Sequence, residues 1–161
     1  RTFIEPTQSI RSLGVKLKLS STKTIVKNKS IILIDDSLVR GTTCHKIVKM
    51  LYESGAKEVH VRIACPEIKY PDFYGVDMPT KKELLAHEKN NEEMCEYIKA
   101  KSLKFLSLDG LYKALIEEKR NPSYPQFSDH YFTGDYPIKP HDNLNGVKVK
   151  QLSLLSGKSN S

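Results

Sequence analysis

Residues Ile31–Thr43 read IILIDDSLVRGTT, and this stretch decides the fold. Four aliphatic residues in a row predict a buried strand, Ser30–Ile34, after a turn at Asn28 and Lys29. Two adjacent carboxylates, Asp35 and Asp36, fall where that strand emerges. Ser37 to Thr43 is a small polar turn that runs into a helical pattern. A strand delivering acids to its carboxyl end, followed by a polar loop feeding a helix N-terminus, is how α/β proteins hold a phosphorylated sugar.

The surroundings extend the pattern. Thr43 to Ser54 places Ile47, Val48, Met50 and Leu51 on one helical face, and Gly55 follows as a terminating residue. Glu58 to Ala64, EVHVRIA, alternates and is rich in β-branched residues, which predicts a second strand. Strand, helix, strand at this spacing is a right-handed βαβ unit with parallel strands. A Pro-punctuated connection, CPEIKYPDFYGVDMPTK from Cys65 to Lys81, is long enough to be functional rather than a linker. Helices are expected over Thr80–His87, where Thr80 and Glu83 form a capping box, and over Asn91–Lys99. Leu103–Leu106 reads as a third strand. Asp109–Lys119 reads as a last helix, with Leu111, Leu115 and Ile116 on one face. Upstream, Pro6–Leu13 resembles a short helix, Val15–Leu19 an extended segment and Thr24–Val26 a short strand. From Arg120 on, Pro, Ser, Asp and Gly dominate, and the last dozen residues read as disordered.

The chemistry of the loop follows from residue types. A sugar 5′-phosphate needs backbone N–H donors converging at a helix start, where the helix dipole favours anions. Gly41 lets the backbone approach closely, and Thr42 and Thr43 add hydroxyls. Asp35 and Asp36 can accept hydrogen bonds from two vicinal ribose hydroxyls, directly or through a divalent cation.

The 161 residues suffice for one compact domain, or a domain with a tail. No apolar run approaches the roughly 20 residues needed to cross a bilayer, which makes a cytoplasmic protein without membrane contact the expectation. The net charge is +7, but the lysines are scattered and no nucleic-acid motif accompanies them, so nucleic acid is not expected as a partner. Three cysteines, Cys44, Cys65 and Cys95, lack metal-type spacing and read as free thiols used for packing. His45, His60, His87, His130 and His141 show no ligand-like spacing, and none is assigned a catalytic role. The chain opens on Arg1 rather than Met and runs directly into structured-looking sequence, so it reads as part of something longer.

IILIDDSLVRGTT resembles the phosphoribosyl pyrophosphate (PRPP) signature of type I phosphoribosyltransferases. RTFIEPTQSIRSLGVKLKLS before it, and ESGAKEVHVRIACPEI with FYGVDMPTKKELLAH after it, resemble the amidophosphoribosyltransferase family, from Arg1 to about Pro137. The resemblance implies an incomplete, Rossmann-like, parallel-sheet phosphoribosyltransferase domain. Residues 1–119 would be its C-terminal half and 120–161 a C-terminal extension, with the N-terminal glutaminase domain absent. It implies that Asp35 and Asp36 hold the ribose hydroxyls and contribute to a Mg²⁺ site. Ser37, Arg40, Gly41, Thr42 and Thr43 would wrap the 5′-phosphate. Lys18 falls where the family has a lysine for phosphate or feedback nucleotide, although a plain surface lysine fits that segment equally. Tyr74–Pro79 would lie over the site. One subgroup of the family carries an iron–sulfur cluster; at the corresponding places this chain has Asp72, Ser128 and Tyr131, which implies the cluster-free kind.

As implied activity, the family transfers ammonia from glutamine to PRPP, giving 5-phosphoribosylamine in purine synthesis. The expected partners are PRPP, purine nucleotides, the missing N-terminal portion and further copies of the chain. The isolated chain is expected to be inactive with glutamine. The competing readings are a non-catalytic phosphoribosyl or purine-nucleotide binding module, and a gene remnant. Lacking its upstream strands, the sheet is expected to expose an edge and an apolar face.

Overall fold

The computed structural model describes residues 23–75, 80–116 and 118–138. Expectations for Pro6–Leu13, Val15–Leu19 and Lys18 therefore lie outside the described residues. Three strands, β1 (Ser30–Asp35), β2 (Glu58–Ile63) and β3 (Ser102–Phe105), form one parallel sheet in the order β1-β2-β3. The register pairs Ile31 with Val59, Leu33 with Val61 and Asp35 with Ile63, and β2 pairs His60 with Ser102. Helix α1 is a single turn, Lys23–Val26; α2 spans Thr42–Glu53, α3 Leu85–Glu88, α4 Asn91–Ile98, α5 Leu108–Ile116 and α6 His130–Thr133.

The core lies on one face of the sheet. Val59, Val61 and Ile63 of β2 and Leu103 of β3 meet Cys44, Val48 and Leu51 of α2, and Met94 and Ile98 of α4. Alternation in β2 explains this, because every second residue points to the same side. Among the described residues no element covers the opposite face. Ile32 and Ile34 of β1 are 64% and 72% exposed, so the strand expected to be buried is only half-buried, through Ile31 and Leu33 on one side. Beside them, on β2 and β3, that face turns polar: His60 Nδ1 lies 2.8 Å from Ser102 Oγ, and Arg62 donates to the same oxygen at 3.0 Å. A parallel sheet is normally covered on both faces. Among the described residues β1 is an edge strand and its isoleucines Ile32 and Ile34 are exposed, as the sequence led us to expect.

Three local expectations are corrected. Thr24–Val26 is not a strand: it belongs to α1, and Val26 drops into the core while Lys29 N–H closes the turn on Val26 O at 3.0 Å. Thr80–His87 is not one helix. A 3₁₀ turn, Lys81–Glu83, breaks at Leu84, whose backbone is extended (φ −80°, ψ 112°), before α3 begins. Leu84 and Leu85 are both buried, and the break lets two consecutive leucines face inward. In α5 the buried residue is Tyr112, while Leu115 is 58% exposed. Tyr112 is covered because its hydroxyl donates to Asp129 at 2.8 Å and its ring meets Phe127 edge-on.

That cover comes from residues 118–138, which return across the 66–75 connection. The Lys69 and Tyr70 amides donate to Tyr131 O at 2.9 and 3.1 Å, and Tyr136 donates to Pro71 O at 2.9 Å. At its centre His130, fully buried, sets Nε2 2.8 Å from Asp72 Oδ1 and Nδ1 3.0 Å from Ser128 Oγ. Buried charged or polar groups persist when they are paired in this way.

Candidate functional site

β1 ends at Asp35, and the chain turns at once through Asp36 and Ser37 toward α2. Asp35 Oδ1 accepts the Asp36 amide at 3.1 Å, and Ser37 Oγ donates to Asp36 Oδ1 at 2.9 Å. These short bonds curl the acids onto the turn rather than along opposite faces of a continuing strand. Leu38 is buried and anchors the loop from beneath. Gly41 then caps α2 with φ +73° and no side chain, and the first helical bond runs from His45 N–H to Gly41 O at 2.8 Å. The first-turn amides of Thr42, Thr43 and Cys44 consequently have no acceptor within the helix.

The result is one concavity of about 390 Å³ lined by the continuous run from Asp35 to Cys44. It gathers every residue the sequence nominated in the loop: Asp35, Asp36, Ser37, Arg40, Gly41, Thr42 and Thr43. The acids come from the strand end, and the helix-start amides, two exposed threonine hydroxyls and the Arg40 guanidinium from the loop and the first turn of α2. Such a cradle suits a ligand with an anionic group and a polyol, the first facing the dipole and the second the carboxylates.

Electrostatics within it are asymmetric. Partial burial raises the Asp35 pKa above its ordinary value, its bond from the Asp36 amide lowers it, and the Asp36 charge raises it again. The net upward shift means that the ionised Asp35 is held at a cost until something positive or hydrogen-bonding meets it. Below the loop, burial, helped by the Asp35 charge, pushes the Cys44 thiol up to about 12. Burial and the Asp36 charge push Cys65 up to about 11. Neither sulfur forms a thiolate near neutral pH, so both are packing groups, and all three cysteines are free.

The sequence reading missed the cradle's outer wall. Leu85 donates its amide to Val39 O at 2.9 Å. A Cβ at position 41 would lie 2.6 Å from Leu85 Cδ2 and 3.0 Å from the Tyr97 ring, so a larger residue would have to displace Leu85 as well as strain the positive φ. Arg40 Nε donates to Glu83 Oε1 at 3.3 Å, while Glu83 Oε2 takes the Thr80 amide and hydroxyl at 3.3 and 3.4 Å. The Thr80–Glu83 capping box was legible as a helix start; nothing local in it signals the contact to Arg40. Tyr74 engages the C-terminal segment: its hydroxyl donates to Ile138 O at 2.7 Å and its ring meets His130 edge-on. Residues 76–79 and Lys18 lie outside the described residues.

No family model matches the chain. Curated proteins do. It is 54% identical to "Amidophosphoribosyltransferase" of Rhizobium etli over 157 residues, 97% of this chain and 32% of that protein. The chain is homologous to the amidophosphoribosyltransferases. A second relative, "Amidophosphoribosyltransferase 1, chloroplastic" of Arabidopsis thaliana, is 49% identical over 94% of this chain and 25% of its own length. Among solved structures, the B. subtilis glutamine phosphoribosylpyrophosphate amidotransferase complexed with ADP and GMP superposes with a TM-score of 0.67 at 42% identity. That superposition covers 85% of this chain and 30% of the other. The three-stranded parallel sheet and its helices thus match the phosphoribosyltransferase-type α/β fold of an amidophosphoribosyltransferase. The chain spans only a quarter to a third of the length of these relatives.

Proposed function

We propose that the cradle binds PRPP, and that this chain is the C-terminal part of an amidophosphoribosyltransferase, an enzyme that transfers ammonia from glutamine to PRPP to give 5-phosphoribosylamine for purine synthesis. The observation that carries the reading is one concavity lined by the run from Asp35 to Cys44, which brings the strand-end acids and the helix-start donors to the same space. Homology to amidophosphoribosyltransferases supports the choice of ligand.

In this reading the helix-start amides, Ser37, Arg40, Gly41, Thr42 and Thr43 hold the 5′-phosphate, and Asp35 and Asp36 accept bonds from the ribose 2- and 3-hydroxyls. The donor set also fits Mg²⁺. Among the described residues no cluster of three acidic, histidine or cysteine ligands exists, and two carboxylates with substrate oxygens completing the shell is how this cation is commonly held. When bound, it would neutralise charge on the pyrophosphate. The chain's own residues fix the sugar at both ends, so that C1 is presented with little freedom to an incoming amine. The helix dipole and Arg40 hold the phosphate that does not react.

Ammonia supply falls to the remaining two thirds to three quarters of the longer relatives. The bare β1 edge with Ile32 and Ile34 is the surface that this portion would cover. Lys18 as a phosphate or nucleotide contact, purine-nucleotide feedback, assembly into a homo-oligomer and a cytoplasmic setting belong to the same reading. Among the described residues no helix is long and apolar enough to cross a membrane.

Calorimetry of the chain with PRPP, with and without Mg²⁺, tests the assignment. Saturable, Mg²⁺-dependent binding that disappears when Asp35 and Asp36 are both changed to Asn is the expected result. Unchanged affinity in that variant would refute the role of the acids. Steady phosphoribosylamine formation by the chain supplied with PRPP, Mg²⁺ and glutamine would refute the division of labour.

A further inference from the structure

The geometry points to Glu83 as the residue that sets how much of the Arg40 charge is available to an anion in the cradle, and so tunes how tightly a phosphorylated sugar is held. The inference rests on the reading of the cradle as a PRPP site and deepens it. Three contacts tie the Thr80–Glu88 segment to the loop: the Leu85 amide to Val39 O, the Leu85 side chain against Gly41, and Glu83 to Arg40. The first two are rigid. The third is an ion pair with both side chains about half exposed (55% and 48%), the class of contact that contributes least and exchanges most easily.

The two oxygens of Glu83 are used differently. Oε2 belongs to the capping box and holds the turn, whereas Oε1 faces only Arg40 among the described residues. A bound phosphate dianion competes with Oε1 for the guanidinium. When it wins, the turn survives on Oε2 and one carboxylate oxygen is left facing the anion. Glu83 therefore opposes ligand twice, by occupying Arg40 beforehand and by repelling the phosphate afterward. A device of this kind limits residence time in a site otherwise built from dipoles and fixed donors.

Gln can replace Glu in a capping box, so Glu83→Gln removes the charge and keeps the turn. Titration with PRPP and Mg²⁺ at low ionic strength should show E83Q binding about three- to fivefold more tightly than the parent chain. The gain should shrink at high salt. In an Arg40→Gln background the same change should alter affinity by less than about twofold, because its route is gone. A purely structural role for Glu83 predicts loss of affinity, never gain. Equal or weaker binding by E83Q, or an equal gain in the R40Q background, overturns the inference and leaves the cradle assignment standing. Failure of the parent chain to bind PRPP at all overturns both. If E83Q unfolds, Glu83→Asp serves in its place: its shorter side chain draws away from Arg40, and unchanged affinity in that variant overturns the inference equally.

Discussion

Asp35 shows what a binding residue costs a fold. Its pKa is raised chiefly by burial, so the fold favours its protonated form. A raised folded-state value gives stability that is complete below the ordinary pKa of 3.8 and is lost as pH rises through the folded value. At neutral pH the ionised carboxylate is therefore a small liability, tolerated because a ligand relieves it. Asp35→Asn should raise the melting temperature by about 2 °C near pH 7 while abolishing Mg²⁺-dependent sugar binding. Thermal unfolding monitored with and without PRPP checks both halves; a less stable D35N with retained binding contradicts the argument. At this scale the sequence was highly legible. Asp35 to Thr43 are contiguous, and a loop of contiguous residues between a strand and a helix has few ways to fold. Glu83 was not legible, because it reaches Arg40 across 43 positions.

Among the elements, those with strong periodic signals formed where the pattern placed them, within a residue or two: β1, α2, β2, α4 and β3. The failures have specific causes. Thr24–Val26 looked like a strand because β-branched residues suit one, yet three residues carry little propensity, and the need to seat Val26 in the core won. The helix expected over Thr80–His87 splits at Leu84, whose extended backbone (φ −80°, ψ 112°) ends the 3₁₀ turn, and both Leu84 and Leu85 are buried on either side of the break. Capping matters most where helices are this short. In α4 the Asn90 side chain accepts the Glu93 amide at 2.9 Å and Glu93 returns the favour to the Asn90 amide at 2.8 Å. Asn90→Ala should therefore destabilise the chain by about 1 kcal/mol, measured as a shift in urea midpoint without change in slope. Since Tyr97 of the same helix packs on Gly41, weaker phosphate binding in N90A would show that the helix also braces the cradle.

On the scale of the molecule, the least legible feature is the return of residues 118–138 over the 66–75 connection. Its composition suggests a tail, and its partners lie far away in sequence: Asp72 and His130 are 58 positions apart. Replacing His130 by Leu leaves Asp72 with the Tyr74 amide, at 2.9 Å, and the Tyr131 side chain, but without its imidazole. The loss should be about 3 kcal/mol, with hydrogen exchange at the Lys69 and Tyr70 amides, both bonded to Tyr131, accelerating far more than in β2. Uniform acceleration would mean the segment does not open as a unit.

The same segment should respond to acid in the opposite sense to the cradle. Burial pushes Asp129 upward, but bonds from Arg120, Tyr112 and Thr133 and the Arg120 charge outweigh it, so the net shift is downward from 3.8. Arg120 also bonds Asp135 at 2.6 Å, and its own pKa rises through these two carboxylates. A depressed folded-state value contributes stability that is present above 3.8 and disappears as pH falls through the folded value. Acidification should therefore loosen residues 118–138 while removing the charge burden at Asp35. Exchange protection of the Phe132, Thr133 and Gly134 amides, which close α6, should fall steeply below pH 3.8. Asp129→Asn should lower that protection at neutral pH and flatten its dependence on acid, leaving the β1–β2 amides unaffected. A D129N profile parallel to that of the parent chain would assign the acid response to another group.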